Sequence, residues 1–290
     1  MPEPAPTRRR DPLRPLLGAA TCVFMSWILA QILTPIGRSI AGEMVGLTVP
    51  LLLAAALGNS LCMAIYESGG LADLGLDWLP GSRRNLLTGI GLGSAAAALV
   101  ILPTIPLGLA SFEKIANPDI SWRGTLFMPV LLFCGAMGEE IAFRGFPLQF
   151  LMRGYGTWAS ILATGALFGV AHLINPGAST LGIVNTALFG ILFGGAVYRS
   201  RDLWLPIGMH FAWNLVLPFL GVDLSGLTIR VTGYKLVWKA GKLWSGGDYG
   251  PEASILTSAV VMLLALAVWK VPVSKGRTTL LDEPSEAPFA

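Results

Sequence analysis

Residues 125–152 read TLFMPVLLFCGAMGEEIAFRGFPLQFLM, an apolar run with two adjacent acids, Glu139 and Glu140, and a base, Arg144, set inside it. The run is long enough for a helix to cross the roughly 30 Å of hydrocarbon in a bilayer, which takes about 20 residues. Ionisable side chains are costly at that depth, and those that persist there mark function. On a helix Glu140 and Arg144 stand at i and i+4, share a face and can pair. Glu139 lies one residue back, about 100° around the axis, and points elsewhere. One carboxylate is thereby matched by the arginine while the other is left for chemistry. The same spacing also suits an ordinary ion pair at a water-facing helix end.

The rest of the chain supports the membrane reading. Hydrophobic residues make up 53% of the 290 and charged residues 13%, against roughly a quarter charged in soluble domains. Mean hydropathy is +0.65. Eight apolar runs are expected to form helices, at 14–35, 44–66, 85–109, 125–152, 158–175, 179–198, 203–221 and 254–271. The expected fold is all-α, a polytopic membrane bundle of about eight transmembrane helices around an intramembrane cavity. The first run starts late and runs long for a signal peptide, and no clear small-residue cleavage site follows it, so it is read as a retained helix. Residues 1–13 are expected to be a disordered basic N-terminus, 14–271 the membrane domain, and 272–290 a polar tail.

Net charge is +3, and its distribution says more than its sum. With the N-terminus inside, the inner segments hold 13 of the 20 basic residues and the outer segments 7, four of them in one long loop. The positive-inside rule then places both termini in the cytoplasm. The scattered charges make no basic patch, so nucleic acid is not an expected partner. Cys22, Cys62 and Cys134 all fall in apolar runs without metal-ligand spacing, and they read as buried small hydrophobes. The connection 67–84 reads as interfacial, and the long hydrophilic connection 222–253 as the place for a short hairpin outside the membrane. Gly165 and Gly169, like Gly190 and Gly194, are four apart, the spacing that lets membrane helices approach closely.

The chain has two histidines, both in apolar runs. Phe168 and His172 share a helical face, as do His210 and Asn214. A lone histidine in such a run is often a satisfied structural residue, and the second pair could be an inter-helix hydrogen bond worth about 0.6 kcal/mol. Alternatively, His210 and Asn214 could donate to a developing oxyanion, a contribution of several kcal/mol in a dry site. Three such groups in three of the last five runs point to one cavity. Counting rise along each helix from the inner face puts Glu139 at about 21 Å and His172 at about 22 Å, but His210 at only about 10 Å. Proximity is thus supported for the first two and open for the third.

Glu139-Glu140-x-x-x-Arg144, Phe168-x-x-x-His172 and His210-x-x-x-Asn214, in this order, resemble the CPBP intramembrane proteases. These include type II CAAX prenyl endopeptidases and bacteriocin-processing and immunity relatives. The resemblance is concentrated in 125–220. Gly246-Gly247-Asp248-Tyr249-Gly250-Pro251-Glu252 is also similar to a stretch of bacterial members. The resemblance implies a glutamate-dependent peptidase, in which Glu139 with His172 activates water and His210 with Asn214 stabilises the oxyanion. Glu140 and Arg144 would support the site, with Phe168 beside them. Spacing alone does not choose Glu139 over Glu140.

Glu139, His172 and His210 could also hold a zinc ion with one open position. There is no His-Glu-x-x-His helix here, and the expectation is no metal and no cofactor. A non-catalytic scaffold or immunity protein is the alternative, and a proton-coupled transporter a further one. The expected partners are membrane lipids and a peptide or protein substrate, with or without a lipid modification. The expected location is a bacterial plasma membrane.

Overall fold

Long apolar runs fold in a bilayer as helices because the lipid offers no partner for backbone N–H and C=O groups. The computed structural model describes residues 13–282. The expectations for residues 1–12 and 283–290 lie outside it. The long helices are α1 (Leu13–Ala41), α2 (Glu43–Tyr66), α3 (Ser82–Ile101), α4 (Trp122–Arg144), α5 (Phe146–Tyr155), α6 (Thr157–Ala171), α7 (Thr180–Ser200) and α8 (Trp204–Phe219). A one-turn α9 (Lys242–Ser245) precedes α10 (Ile255–Lys270). Serine caps open α4, α7 and α10: the Ser121, Ser179 and Ser254 side chains accept from the backbone N–H of Gly124, Gly182 and Thr257. Each such cap is worth about 1 kcal/mol.

The protein is a multi-pass membrane bundle. Among the described residues, six helical segments are long and apolar enough to span: Leu13–Ala41, Glu43–Tyr66, Ser82–Thr104, Trp122–Tyr155, Thr157–Ile174 and Thr180–Ser200. The last two expected runs form α8 and α10, each of 16 residues and so shorter than a full span. Large apolar side chains such as Phe24, Leu57, Leu162 and Leu263 are exposed on the outside of the bundle, as a lipid-facing surface requires.

Two features depart from the expectations. The fourth run is broken at Gly145, where α4 ends and α5 begins with Pro147 in its first turn. Asn59 of α2 fills the break, its Oδ1 accepting from Phe146 N–H at 2.7 Å. A Cβ on residue 145 would sit 2.4 Å from that oxygen, so only glycine fits. The strand in the long loop, β2 (Tyr234–Trp238), does not close a local hairpin. It pairs antiparallel with β1 (Ala110–Lys114) from the α3–α4 connection.

The bundle has two distinct ends. At the end holding residue 13, the 67–81 connection, the α7–α8 turn and residues 271–282 pack together. Leu203 N–H donates to Gly75 O at 3.0 Å and Gly276 N–H to Ser200 O at 2.7 Å. Asn85 Nδ2 donates to the buried Asp202 at 2.6 Å. At the other end lie β1, β2 and the 220–254 connection. Between the ends, α6 and α7 cross at their glycines. A Cβ added at Gly190 would lie 2.8 Å from Gly165 Cα, whereas one at Gly195 would meet nothing within 4 Å.

Gly190→Ala therefore overpacks a backbone contact and should cost about 1–3 kcal/mol, while Gly195→Ala should be neutral. Thermal unfolding of the two variants in detergent checks the contrast, and equal midpoints would contradict the packing argument.

Candidate active site

Pairing at i and i+4 does occur between Glu140 and Arg144, and both side chains are wholly enclosed. Arg144 Nη1 lies 3.3 Å from Glu140 Oε1, and Nη2 donates to Gly190 O at 3.2 Å. The guanidinium lies over the Phe168 ring, 4.2 Å from its centroid, and is also near Phe143 and Phe193. A charge can stand here because it meets a carboxylate, a carbonyl and aromatic faces together.

Glu140 Oε1 also accepts from His210 Nδ1 at 2.8 Å. The His210 ring is stacked on Phe193, with centroids 5.2 Å apart and 17° between planes. Its Nε2 lies 3.8 Å from Glu139 Oε2. His172 ends α6, where its Nδ1–H donates to Phe168 O at 2.8 Å. That fixes the tautomer and leaves Nε2 as the free nitrogen. His172 Nε2 lies 3.9 Å from the same Glu139 oxygen. That oxygen has no hydrogen-bond partner among the described residues.

The structure thus brings Glu139, Glu140, Arg144, Phe168, His172 and His210 into one cluster. Asn214 lies one turn beyond His210 on α8, and its side chain has no hydrogen-bond partner among the described residues. The depth expected for His210 was too shallow because α8 does not begin at a surface. Asp202 and Leu203, just before it, are buried under the 67–81 and 271–282 segments. Rise counted from Leu203 starts inside the protein.

A second layer went unassigned from sequence. Glu252 is buried against α8, accepting from Trp213 Nε1 at 3.1 Å and from Ser225 Oγ at 3.0 Å. Ser225 N–H donates to it as well. Burial pushes the Glu252 carboxyl above the usual carboxylate range, against the pull of these donors. Ser225 O accepts from Asn175 Nδ2 at 3.2 Å, and Asn175 N–H donates to His172 O at 3.1 Å. A chain of polar contacts therefore runs from His172 through Asn175, Ser225 and Glu252 to Trp213, three residues past His210. The available signal was an acid in the Gly250-Pro251-Glu252 run just before the last apolar segment. Its partners Ser225 and Trp213 carry no motif.

Residues 121–216 match the family model described as type II CAAX prenyl endopeptidase Rce1-like. The match starts at the N-cap of α4 and ends two residues beyond Asn214, so it holds all three motifs and agrees with the resemblance seen in the sequence. It covers α4 to α8, the helices that build the cluster, and leaves α1–α3, the β1–β2 pair and Glu252 outside. A search of curated proteins gives no match.

The two acids should differ in what they do for the fold. Glu140→Ala leaves Arg144 buried and unpaired, a loss of about 3–5 kcal/mol. Glu139→Ala removes a carboxylate oxygen that no described residue satisfies and should leave stability unchanged within about 0.5 kcal/mol. Thermal unfolding in detergent distinguishes them, and an equal loss for both would contradict the assignment of Glu140 as the structural partner.

Proposed function

We propose that the protein is an intramembrane endopeptidase whose Glu139 activates a water molecule for attack on a peptide carbonyl. The observation that carries this reading is the spacing around Glu139 Oε2. Nε2 of His172 at 3.9 Å and Nε2 of His210 at 3.8 Å are too far for direct hydrogen bonds. They are at the right separation for one water shared between acid and imidazole, with both hydrogen bonds about 2.8 Å long.

The roles follow from the tautomers. His172 gives its Nδ1–H to Phe168 O, so its bare Nε2 accepts one water hydrogen. Glu139 takes the other as the water oxygen bonds to the carbonyl carbon. The carbonyl electrons move to oxygen, and Asn214 Nδ2–H is the donor on α8 left free to meet them. His210 gives its Nδ1–H to Glu140, so Nε2–H can add a second donor only when the ring carries both protons. Collapse of the tetrahedral species breaks the C–N bond, and Glu139 returns its proton to the leaving amine. Arg144 and Glu140 act through His210 and touch no reacting atom.

No metal is part of this reading. The donor set Glu139, His172 and His210 could reach a zinc ion by small movements. Loss of cleavage on chelation is the outcome that separates the two. The family match supports a peptide or protein substrate in a lipid setting, and a lipid-modified substrate is one form of it. A non-catalytic scaffold has no specific observation in its favour.

Purified protein should cleave members of a peptide library that includes prenylated CAAX peptides. Glu139→Ala and His172→Ala should each lose about 10²–10⁴-fold in rate, and Asn214→Ala about 10²–10³-fold. Wild-type cleavage should survive a zinc chelator. Loss on chelation with recovery on zinc addition would replace this mechanism by a metal-dependent one.

A further inference from the structure

His172 is weakly held by its own helix. It stands one residue past the end of α6, in a single 3-10 turn over His172–Ile174. Hydrogen-bond geometry in such a turn is poorer than in an α-helix. The next two residues, Leu173 and Ile174, are exposed. Among the described residues the His172 ring makes one hydrogen bond, to Phe168 O of α6 itself. That bond orients the ring on α6 but does not set the turn against α4 and α8. A catalytic group has to be held to within about 0.5 Å of its working position. The hold on His172 must come from outside α6.

A second turn supplies it. Asn175 N–H donates to His172 O at 3.1 Å, and Asn175 Nδ2 donates to Ser225 O at 3.2 Å. Ser225 and Gly226 are the central residues of a tight turn, closed by hydrogen bonds in both directions between Leu224 and Leu227. Both have positive φ, +48° and +82°. Left-handed backbone is unfavourable for serine, because its Cβ crowds the carbonyl that follows. Glycine is needed at 226 for space as well, since a Cβ there would run into Pro176 O of the α6–α7 connection. The turn is thus pressed against the stretch that carries His172, with a serine in a conformation it does not favour.

Glu252 keeps Ser225 in that conformation. Its carboxylate accepts from Ser225 N–H and from Ser225 Oγ at 3.0 Å. Its Oε1 also accepts from Trp213 Nε1 of α8 at 3.1 Å. The wholly buried Asn185 of α7 donates from Nδ2 to Glu252 O at 2.7 Å and to Ser254 O at 2.9 Å. The side chain is fixed to α8 and the backbone to α7. Gly246 and Gly250, both at positive φ, turn the chain inward after α9 and bring Glu252 to this place. Three hydrogens converge on its two oxygens. An amide of the same shape has one oxygen and leaves one of those hydrogens facing an NH2 group.

We propose that Glu252 is a positioning residue for the water-activating side of the site. Through Ser225 and Asn175 it ties the His172 turn to α7 and α8, and so sets His172 Nε2 opposite Glu139. Glu252 touches no reacting atom. The part His172 plays in cleavage rests on the peptidase reading above, whereas the coupling of Glu252 to His172 stands on the hydrogen bonds alone. His210 does not depend on this path, because Glu140 holds its Nδ1 and Phe193 stacks on its ring. The two histidines are therefore placed by two different acids, Glu140 from α4 and Glu252 from the segment before α10.

Because the chain has two histidines, nitrogen-15 NMR of the histidine-labelled full chain in detergent reads each ring without a substrate. His172→Gln and His210→Gln assign the two sets of signals. Glu252→Gln and Asn175→Ala should each move the His172 ring signals and leave those of His210 in place. Asn175 is only half-buried, so Asn175→Ala decides the matter if Glu252→Gln does not fold. His172 signals unchanged in the folded variants overturn the proposal. Equal movement of both histidines overturns it too, because Glu252 would then hold the bundle as a whole. On a peptide that wild type cleaves, Glu252→Gln should lower kcat by about 10–10²-fold and leave KM within about twofold, as a small misplacement of a reacting group does. Unchanged kcat with a moved His172 signal overturns the catalytic role. Absence of any cleavage by wild type counts against the peptidase reading, while the histidine signals still decide whether Glu252 holds His172.

Discussion

The buried pair of Arg144 and Glu140 is the constraint on which the rest of the site depends. Two charges enclosed in an apolar bundle hold only if each is matched, and each is matched by several elements at once. Arg144 reaches Gly190 O on α7 and the ring of Phe168 on α6. Glu140 reaches His210 on α8. One ion pair on α4 thereby fixes the position of three neighbouring helices. It also fixes the ring of His210, whose second nitrogen faces Glu139. The glycines at the α6–α7 crossing belong to the same arrangement, because Gly190 offers its carbonyl to Arg144 at the point where Gly165 lets the helices touch.

The adjacent acids divide the work. Glu140 is fully enclosed and holds Arg144 and His210 directly through Oε1, whereas Glu139 keeps partial exposure and makes no direct contact with the two imidazoles it faces; in both acids Oε2 has no partner among the described residues. A structural carboxylate in a membrane protein is held by direct contacts, as Glu140 is through Oε1. One that is left facing two imidazole nitrogens without direct contact is placed to hold something between them. This contrast within a single helical turn gives the chemical asymmetry that residue type alone does not.

Much of this was legible in the sequence. The apolar runs gave the helices, and the i, i+4 spacing gave the Glu140–Arg144 pair, because both depend on local periodicity. The choice between Glu139 and Glu140 was not legible from spacing, since it depends on which helices lie on either side of α4. The break at Gly145 has a local signal in Gly145 and Pro147, but the side chain that fills it, Asn59 on α2, lies far away in sequence. The level of His210 was misjudged for a similar reason: connections distant in sequence bury the start of α8. The strand pairing of β2 and the role of Glu252 were likewise set by partners from remote segments, and neither Ser225 nor Trp213 announces itself by pattern.

The central claim is that Glu139 acts on a water molecule rather than on a metal ion. The most direct test is a high-resolution experimental structure of the wild-type protein, purified with zinc present and recorded with anomalous data at the zinc edge. The expected result is a solvent oxygen about 2.8 Å from both Glu139 Oε2 and His172 Nε2, with no anomalous signal there. An anomalous peak about 2.1 Å from Glu139, His172 and His210 would contradict it.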